Sequence, residues 1–182
     1  MLNGIKLKEY ARTNGVSSQE LAEMVRIGGR TEKQALAAVK NWQNCLYKPM
    51  PTSEDIEALA RGLHVSVNAI SQWSSRHKYA PTSPTKARLV ARLIAGRTAQ
   101  DALDTLKFTP KRSAEMVRKV LETAISNADE QEADVERLYV SEARIDGAGR
   151  RIGTKGWIAK DRGRAHPIRK QASHIIVTVA EN

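Results

Sequence analysis

The sequence predicts an α+β protein: an N-terminal all-α bundle, then a body of three helices and antiparallel strands from which a long β-hairpin projects. Three observations carry this prediction. Apolar residues recur with helical period as far as Ala128, and the period drops to two at Leu138–Ile145 and again at Ile175–Val179. A stretch rich in Ser and Pro, Ser75 to Pro84, reads as a linker between two helical patterns. Between the two β-prone runs, Arg150 to Lys170 holds eight Lys or Arg against one acid, Asp161. Two compact cores suit a chain of 182 residues. The expected domains are 1–77 and 78–182, with the hairpin at about 145–170.

In the first domain, Ile5 to Thr13 is a helix, and Ser17 or Ser18 caps a second through Leu21, Met24 and Val25, stopped at Gly28-Gly29. Thr31, with Gln34 three residues on, has capping-box spacing and opens a third helix with the apolar face Leu36, Val39, Trp42 and Leu46. Pro49 and Pro51 end it. Thr52 and Ser53 cap a fourth helix with an acidic first turn and the face Ile56, Leu59, Ala60 and Leu63. Ser66 starts a short fifth through Ile70 and Trp73. Trp42, Trp73 and Cys45 read as core fillers.

In the second domain, Ser83-Pro84 is N-cap then first helical residue, with Ala87, Val90, Ala91 and Ile94 inward and Lys86, Arg88 and Arg92 outward. Thr98 with Asp101 caps a short helix through Ala102, Leu103 and Leu106. Thr109-Pro110 repeats the Ser-Pro device and opens the longest helix, Lys111 to about Ala128. The strands then form an antiparallel hairpin whose base packs on the helices. Arms of about ten residues at roughly 3.3 Å each project on the order of 30 Å. A free two-stranded arm is marginal in water, so a partner is expected to order it.

The formal net charge of +10, with a pI near 9.9, points to a polyanionic partner, nucleic acid first. Residues 145–182 hold eight basic and three acidic residues, half of the excess on about a fifth of the chain. No apolar run approaches the roughly 20 residues that span a bilayer, and the N-terminus lacks the apolar segment of a signal peptide. One cysteine and four histidines offer no metal-ligand spacing. No paired carboxylates, catalytic triad or phosphate loop is present, so no enzyme, cofactor, metal or small-molecule substrate is expected. A cytoplasmic protein is.

The stretch TSPTKARLVARLIAGRTAQDALDTLKFTPKRSAEMVRKVLETAISNADE, then LYVSEARID, then RGRAHPIRKQASHIIVTV, resembles the large-subunit ribosomal protein family numbered twenty-two, of bacterial type, over about residues 78–182. The resemblance implies an α+β body seated on ribosomal RNA and a hairpin lining the nascent-peptide exit tunnel. It implies a structural and assembly role in the cytoplasmic large subunit, with ribosomal RNA, neighbouring ribosomal proteins and the nascent polypeptide as partners. Ser83, Lys86, Arg88 and Arg92 match its first helix, and Lys111, Arg112 and Lys119 its long helix. Gly163, Arg164, Ala165, Lys170, Ser173 and His174 match the returning arm. Arg150, Arg151, Lys155, Lys160, Arg162 and Arg169 complete the expected RNA-binding set. The hairpin tip is placed at Arg150, Arg151, Ile152, Gly153, Thr154, Lys155, Gly156 and Trp157. Here the chain departs from the family: about three residues are extra around Arg150 to Trp157, Ala159-Lys160-Asp161-Arg162 replaces the usual Pro-Arg-Ala, and Gln171-Ala172 a basic-Thr pair. Trp157 is a candidate for stacking on a base or the tunnel wall, or for local packing.

GVSSQELAEMV and MPTSEDIEALARGLHVSVNAI resemble the helix-turn-helix domains of the phage-repressor type. The expected recognition helix, Thr31 to Cys45, and its approach offer Arg30, Lys33, Gln34, Lys40, Asn41 and Asn44 as possible nucleic-acid contacts, since Asn and Gln pair with adenine edges and Lys with guanine or phosphate. A DNA-binding transcriptional regulator is therefore the alternative function. Against it stands the modest charge of that helix.

Overall fold

The computed structural model describes residues 1–26, 30–153 and 156–181. They separate into two units, Met1–Gln72 with the last residues from Ala180, and Trp73–Val179.

Capping sets the helix starts of the first unit. Asn3 Oδ1 accepts from the amides of Ile5 and Lys6 and opens α1, Gly4–Thr13. Ser17 and Glu20 form a reciprocal capping box for α2, Ser18–Val25. The Thr31 amide donates to Gln34 Oε1 at the head of α3, Glu32–Gln43. Thr52 and Asp55 box α4, Ser53–Leu63. The core is Leu2, Leu7, Leu21, Val25, Val39, Trp42, Leu59, Leu63 and Ile70, all buried. Gly4 is required by packing: a Cβ there would collide with the Trp42 carbonyl oxygen.

Three expectations fail in this unit. Leu46 is exposed, not on the α3 face, because the helix stops at Gln43 and the buried stripe is Ala35, Ala38, Val39 and Trp42. Cys45 is likewise exposed, with φ 58°, in the left-handed turn that leaves the helix. The fifth helix shrinks to a 3-10 turn, Asn68–Ile70. Trp73 instead lies in a strand and belongs to the core of the second unit.

That strand, β1 (Gln72–Ala80), corrects the expected linker, and the boundary drawn at residue 77 falls inside it. Its residues are polar because it is an edge strand of the sheet β1-β5-β2 and largely exposed. Charges such as Arg76 and Lys78 on an edge also discourage further strand pairing. Helices α5 (Pro84–Ile94), α6 (Ala99–Phe108) and α7 (Arg112–Asp129) follow. Ala87, Val90, Ala91 and Ile94 of α5 are buried as the pattern requires, with Val117, Val120, Leu121 and Ala124 of α7. Thr109-Pro110 does not open α7. Thr109 Oγ1 donates to Thr105 O and closes α6, and Lys111 is the N-cap of α7.

β2 (Leu138–Arg150) and β5 (Gln171–Glu181) run antiparallel: Ser141 Oγ donates to Thr178 O, and further out the Arg151 amide donates to Lys170 O. β5 is central, so Ile175, Val177 and Val179 are all buried. α5 packs on β2, which ties the helices to the arm's base. The arm continues as β3 (Trp157–Lys160) and β4 (Arg164–Pro167). Their register, Trp157 opposite Pro167 through Lys160 opposite Arg164, puts the turn at Asp161, Arg162 and Gly163.

The tip is therefore not Arg150–Trp157. Positive φ at Asp161, Arg162 and Gly163 reverses the chain, and His166 Nε2 braces it against Asp161 Oδ2 at 2.8 Å. The described residues of the expected tip, Gly153 and Gly156 among them, come before the turn. Gly149 and Gly153 also have positive φ and redirect it before β3. Thr154 and Lys155 lie outside the described residues.

Candidate nucleic-acid interface

The second unit gathers cations where two helix starts meet the base of the arm. A cleft of about 870 Å³ is lined by Lys86 from α5, Lys111 and Arg112 from α7, and Arg151, Arg169 and Lys170 from the arm. Pro81, Thr82, Ser83, Leu89, Ser113 and Gln171 complete the described lining, which contains no Asp or Glu. Neither helix is closed by a side chain: Ser83 and Lys111 make no side-chain cap hydrogen bond. The first amides of a helix have no partner within it, and the helix dipole adds partial positive charge at that end. Two open helix starts and six cationic side chains make a site for anions.

Other expected residues sit elsewhere. Arg88 Nε donates to Ile145 O at 3.3 Å, joining α5 to β2. Arg92 is exposed on α5, and Lys119 pairs with Glu115 at 3.3 Å on the surface of α7. Arg150 is exposed at the end of β2. His174 Nδ1 accepts from the Tyr79 amide at 3.1 Å, so it holds a backbone in place.

On the outer arm, opposed pairs alternate between the two faces of the ribbon. Lys160 with Arg164 and Ile158 with His166 share one face; Ala159 with Ala165 and Trp157 with Pro167 share the other. One face carries the cations Lys160 and Arg164 beside Ile158 and His166, and the other is uncharged, two alanines and a proline with Trp157, which is 66% exposed. Arg162 stands in the turn itself. Two backbone bonds tie the arms together on the way to the tip: the Arg151 amide donates to Lys170 O and the Ile168 amide to Gly156 O.

In the first unit, half of the possible nucleic-acid contacts are occupied. Arg30 makes a two-point ion pair with Asp55, at 2.7 and 3.0 Å, and its guanidinium lies 5.5 Å from the Trp42 ring centroid. Gln34 caps α3, and Asn41 Nδ2 donates to Lys48 O at 2.8 Å. Lys33, Lys40 and Asn44 are exposed on α3 or at its end. Burial alone would raise the Asp55 carboxyl, but the hydrogen bonds from Arg30 and Thr52, with the Arg30 charge, hold it below the ordinary aspartate value. The turn between α2 and α3, on which the helix-turn-helix expectation rests, includes residues 27–29, outside the described ones.

The open helix starts escaped sequence reasoning. Ser-Pro and Thr-Pro both suggest closed caps, and only the placement of side chains shows otherwise. The lysine at the N-cap of α7 was the available signal, since lysine cannot accept a hydrogen bond.

Comparison with known proteins agrees with this architecture. The family described as Ribosomal protein L22p/L17e matches residues 75–180. The large ribosomal subunit protein uL22 of Geotalea daltonii is 42% identical over 111 residues, covering 59% of this chain and 96% of that protein. The protein of the same name from Aquifex pyrophilus is 43% identical over 104 residues, covering 57% of this chain and 76% of its own length. In Geobacter sulfurreducens the corresponding figures are 41% over 109 residues, 59% and 96%. The family match leaves residues 1–74 outside it and lends no support to a helix-turn-helix regulator. From β1 through β5, helices, sheet and arm together, this chain belongs to the Ribosomal protein L22p/L17e family.

Proposed function

We propose that the chain is a structural constituent of the cytoplasmic large ribosomal subunit, that its second unit binds ribosomal RNA through the basic cleft, and that its arm lines the nascent-peptide exit tunnel. The cleft carries this reading: six cations and two open helix starts with no carboxylate among the described lining suit a phosphate backbone folded against them. The relatives' shared name, a large-subunit protein, supports the same assignment.

On this reading the two faces of the arm divide the work. Lys160, Arg164 and His166 lie toward the RNA wall, while Trp157, Ala159, Ala165 and Pro167 face the nascent polypeptide. That face carries no charge to hold a passing chain, and Trp157 is its one large side chain. The role is one of assembly and support, with neighbouring ribosomal proteins as further partners and no chemical step assigned. Of the six proposed contacts in the first unit, Lys33, Lys40 and Asn44 remain exposed for an auxiliary RNA contact.

Binding to transcribed large-subunit RNA across a salt series tests the cleft. The logarithm of affinity falls linearly with that of salt, and Lys111→Ala and Arg169→Ala each lower the slope by about 1 if each cation neutralises a phosphate. Slopes identical to wild type would remove the cleft from the interface. Release of the chain from the large subunit by salt that strips only loosely held proteins would remove the ribosomal assignment.

A further inference from the structure

Tyr79 combines features that packing does not explain. Its φ is 57°, in the left-handed region that costs a bulky non-glycine residue free energy. That backbone is pinned, because the Tyr79 amide donates to His174 Nδ1 at 3.1 Å. The ring is pinned as well, in a T-shaped contact with the imidazole, with centroids 4.8 Å apart and planes at 74°. Yet the residue stays 63% exposed, on an edge strand. A strained backbone, two fixed contacts and an open ring describe a presented aromatic surface. Strain of this kind collects at functional positions.

Its surroundings indicate the occupant. Arg76, His77 and Lys78 precede it and are exposed. Pro81, two residues on, and Gln171, three before His174, both line the basic cleft. At the rise of an extended strand, three residues put the Tyr79–His174 pair roughly 10 Å from that edge of the cleft. No Asp or Glu occurs in β1.

We propose that Tyr79 is a stacking platform for an unpaired base of the RNA strand whose phosphates occupy the cleft, and that His174 is the positioning residue that holds it. The inference rests on the RNA reading above and adds to it a contact made through a base. Unpaired bases stack on aromatic side chains without regard to their charge, so the contribution is independent of salt. His174 serves with its Nδ1 unprotonated, as the acceptor of the Tyr79 amide.

The same RNA-binding assay separates the possibilities. Tyr79→Leu weakens binding to transcribed large-subunit RNA roughly tenfold or more with the salt slope unchanged. Tyr79→Phe, which keeps the ring, binds within about twofold of wild type. His174→Ala, which frees the ring, falls between them. Irradiating the wild-type complex with ultraviolet light joins RNA to the tryptic peptide Tyr79–Lys86, which needs no substitution that could disturb folding. Wild-type affinity in Tyr79→Leu, equal losses in the Leu and Phe variants, or no cross-link at that peptide would overturn the proposal. If Lys111→Ala still lowers the salt slope in that case, the RNA reading stands and only the stacking fails.

Discussion

Two residues of the first unit turn local chemistry into measurable stability. Asp55 is 5% exposed and bound at once by Arg30 and Thr52, which hold its carboxyl below the ordinary aspartate value. A carboxyl so depressed stabilises the fold wherever the unfolded chain would be ionised, above about pH 4, and the contribution vanishes as pH falls through the folded value. Asp55→Asn leaves Arg30 without its charge partner and costs the unit about 1 to 3 kcal/mol near neutral pH. Hydrogen exchange of the α3 and α4 amides reads this directly, and the variant loses less protection than wild type between pH 5 and pH 3. Gly4 offers a steric counterpart. Gly4→Ala drives a methyl group into the Trp42 carbonyl, forcing α1 from α3 at a cost of about 1 to 3 kcal/mol. Gly4 is not a residue that sequence reasoning singled out, because its reason lies about 40 positions away along the chain.

At the scale of elements, the helices were legible and the arm only partly so. Capping residues and apolar spacing mark α2, α4 and α5 because both signals act within one or two turns. β1 was not legible. Polar residues on an edge strand look like a linker, and only the neighbouring β5, about 100 residues away, gives them a pairing partner. The arm's turn was misplaced for a related reason: glycines allow a reversal, but the register of β3 with β4 chooses which of them makes it. From Ile152 outward the described residues of the arm are exposed apart from Gly156 and Ile168, so the helical core does not depend on them. Replacing residues 152–168 with a Gly-Gly turn should leave the helical circular dichroism intact and shift Tm by less than about 4 °C, the change expected for 1 kcal/mol. Loss of the α5 to α7 helicity would show instead that the arm is part of the core.

At the scale of the molecule, each unit has its own buried cluster, and the described lining of the basic cleft comes from the second. A chain lacking residues 1–71 is therefore expected to bind large-subunit RNA within about threefold of the full chain and with a salt slope lower by no more than 1. A larger loss would assign RNA contacts to the first unit. By itself the sequence determined that there are two helical patterns, that a β arm follows them, and that half of the excess positive charge lies in the last 38 residues. Those features arise from periodicity and composition, which are local. Only the tertiary structure decided which cations converge. Lys86, Lys111, Arg151 and Arg169 come from four separate segments, and no local pattern records that two uncapped helix starts and the base of a hairpin meet at one cleft. It likewise decided that Arg30, a candidate by charge, pairs with Asp55, and that His174, a candidate by family resemblance, accepts from the Tyr79 amide. Such pairings depend on geometry between distant residues, and geometry of that kind exists only once the chain has packed.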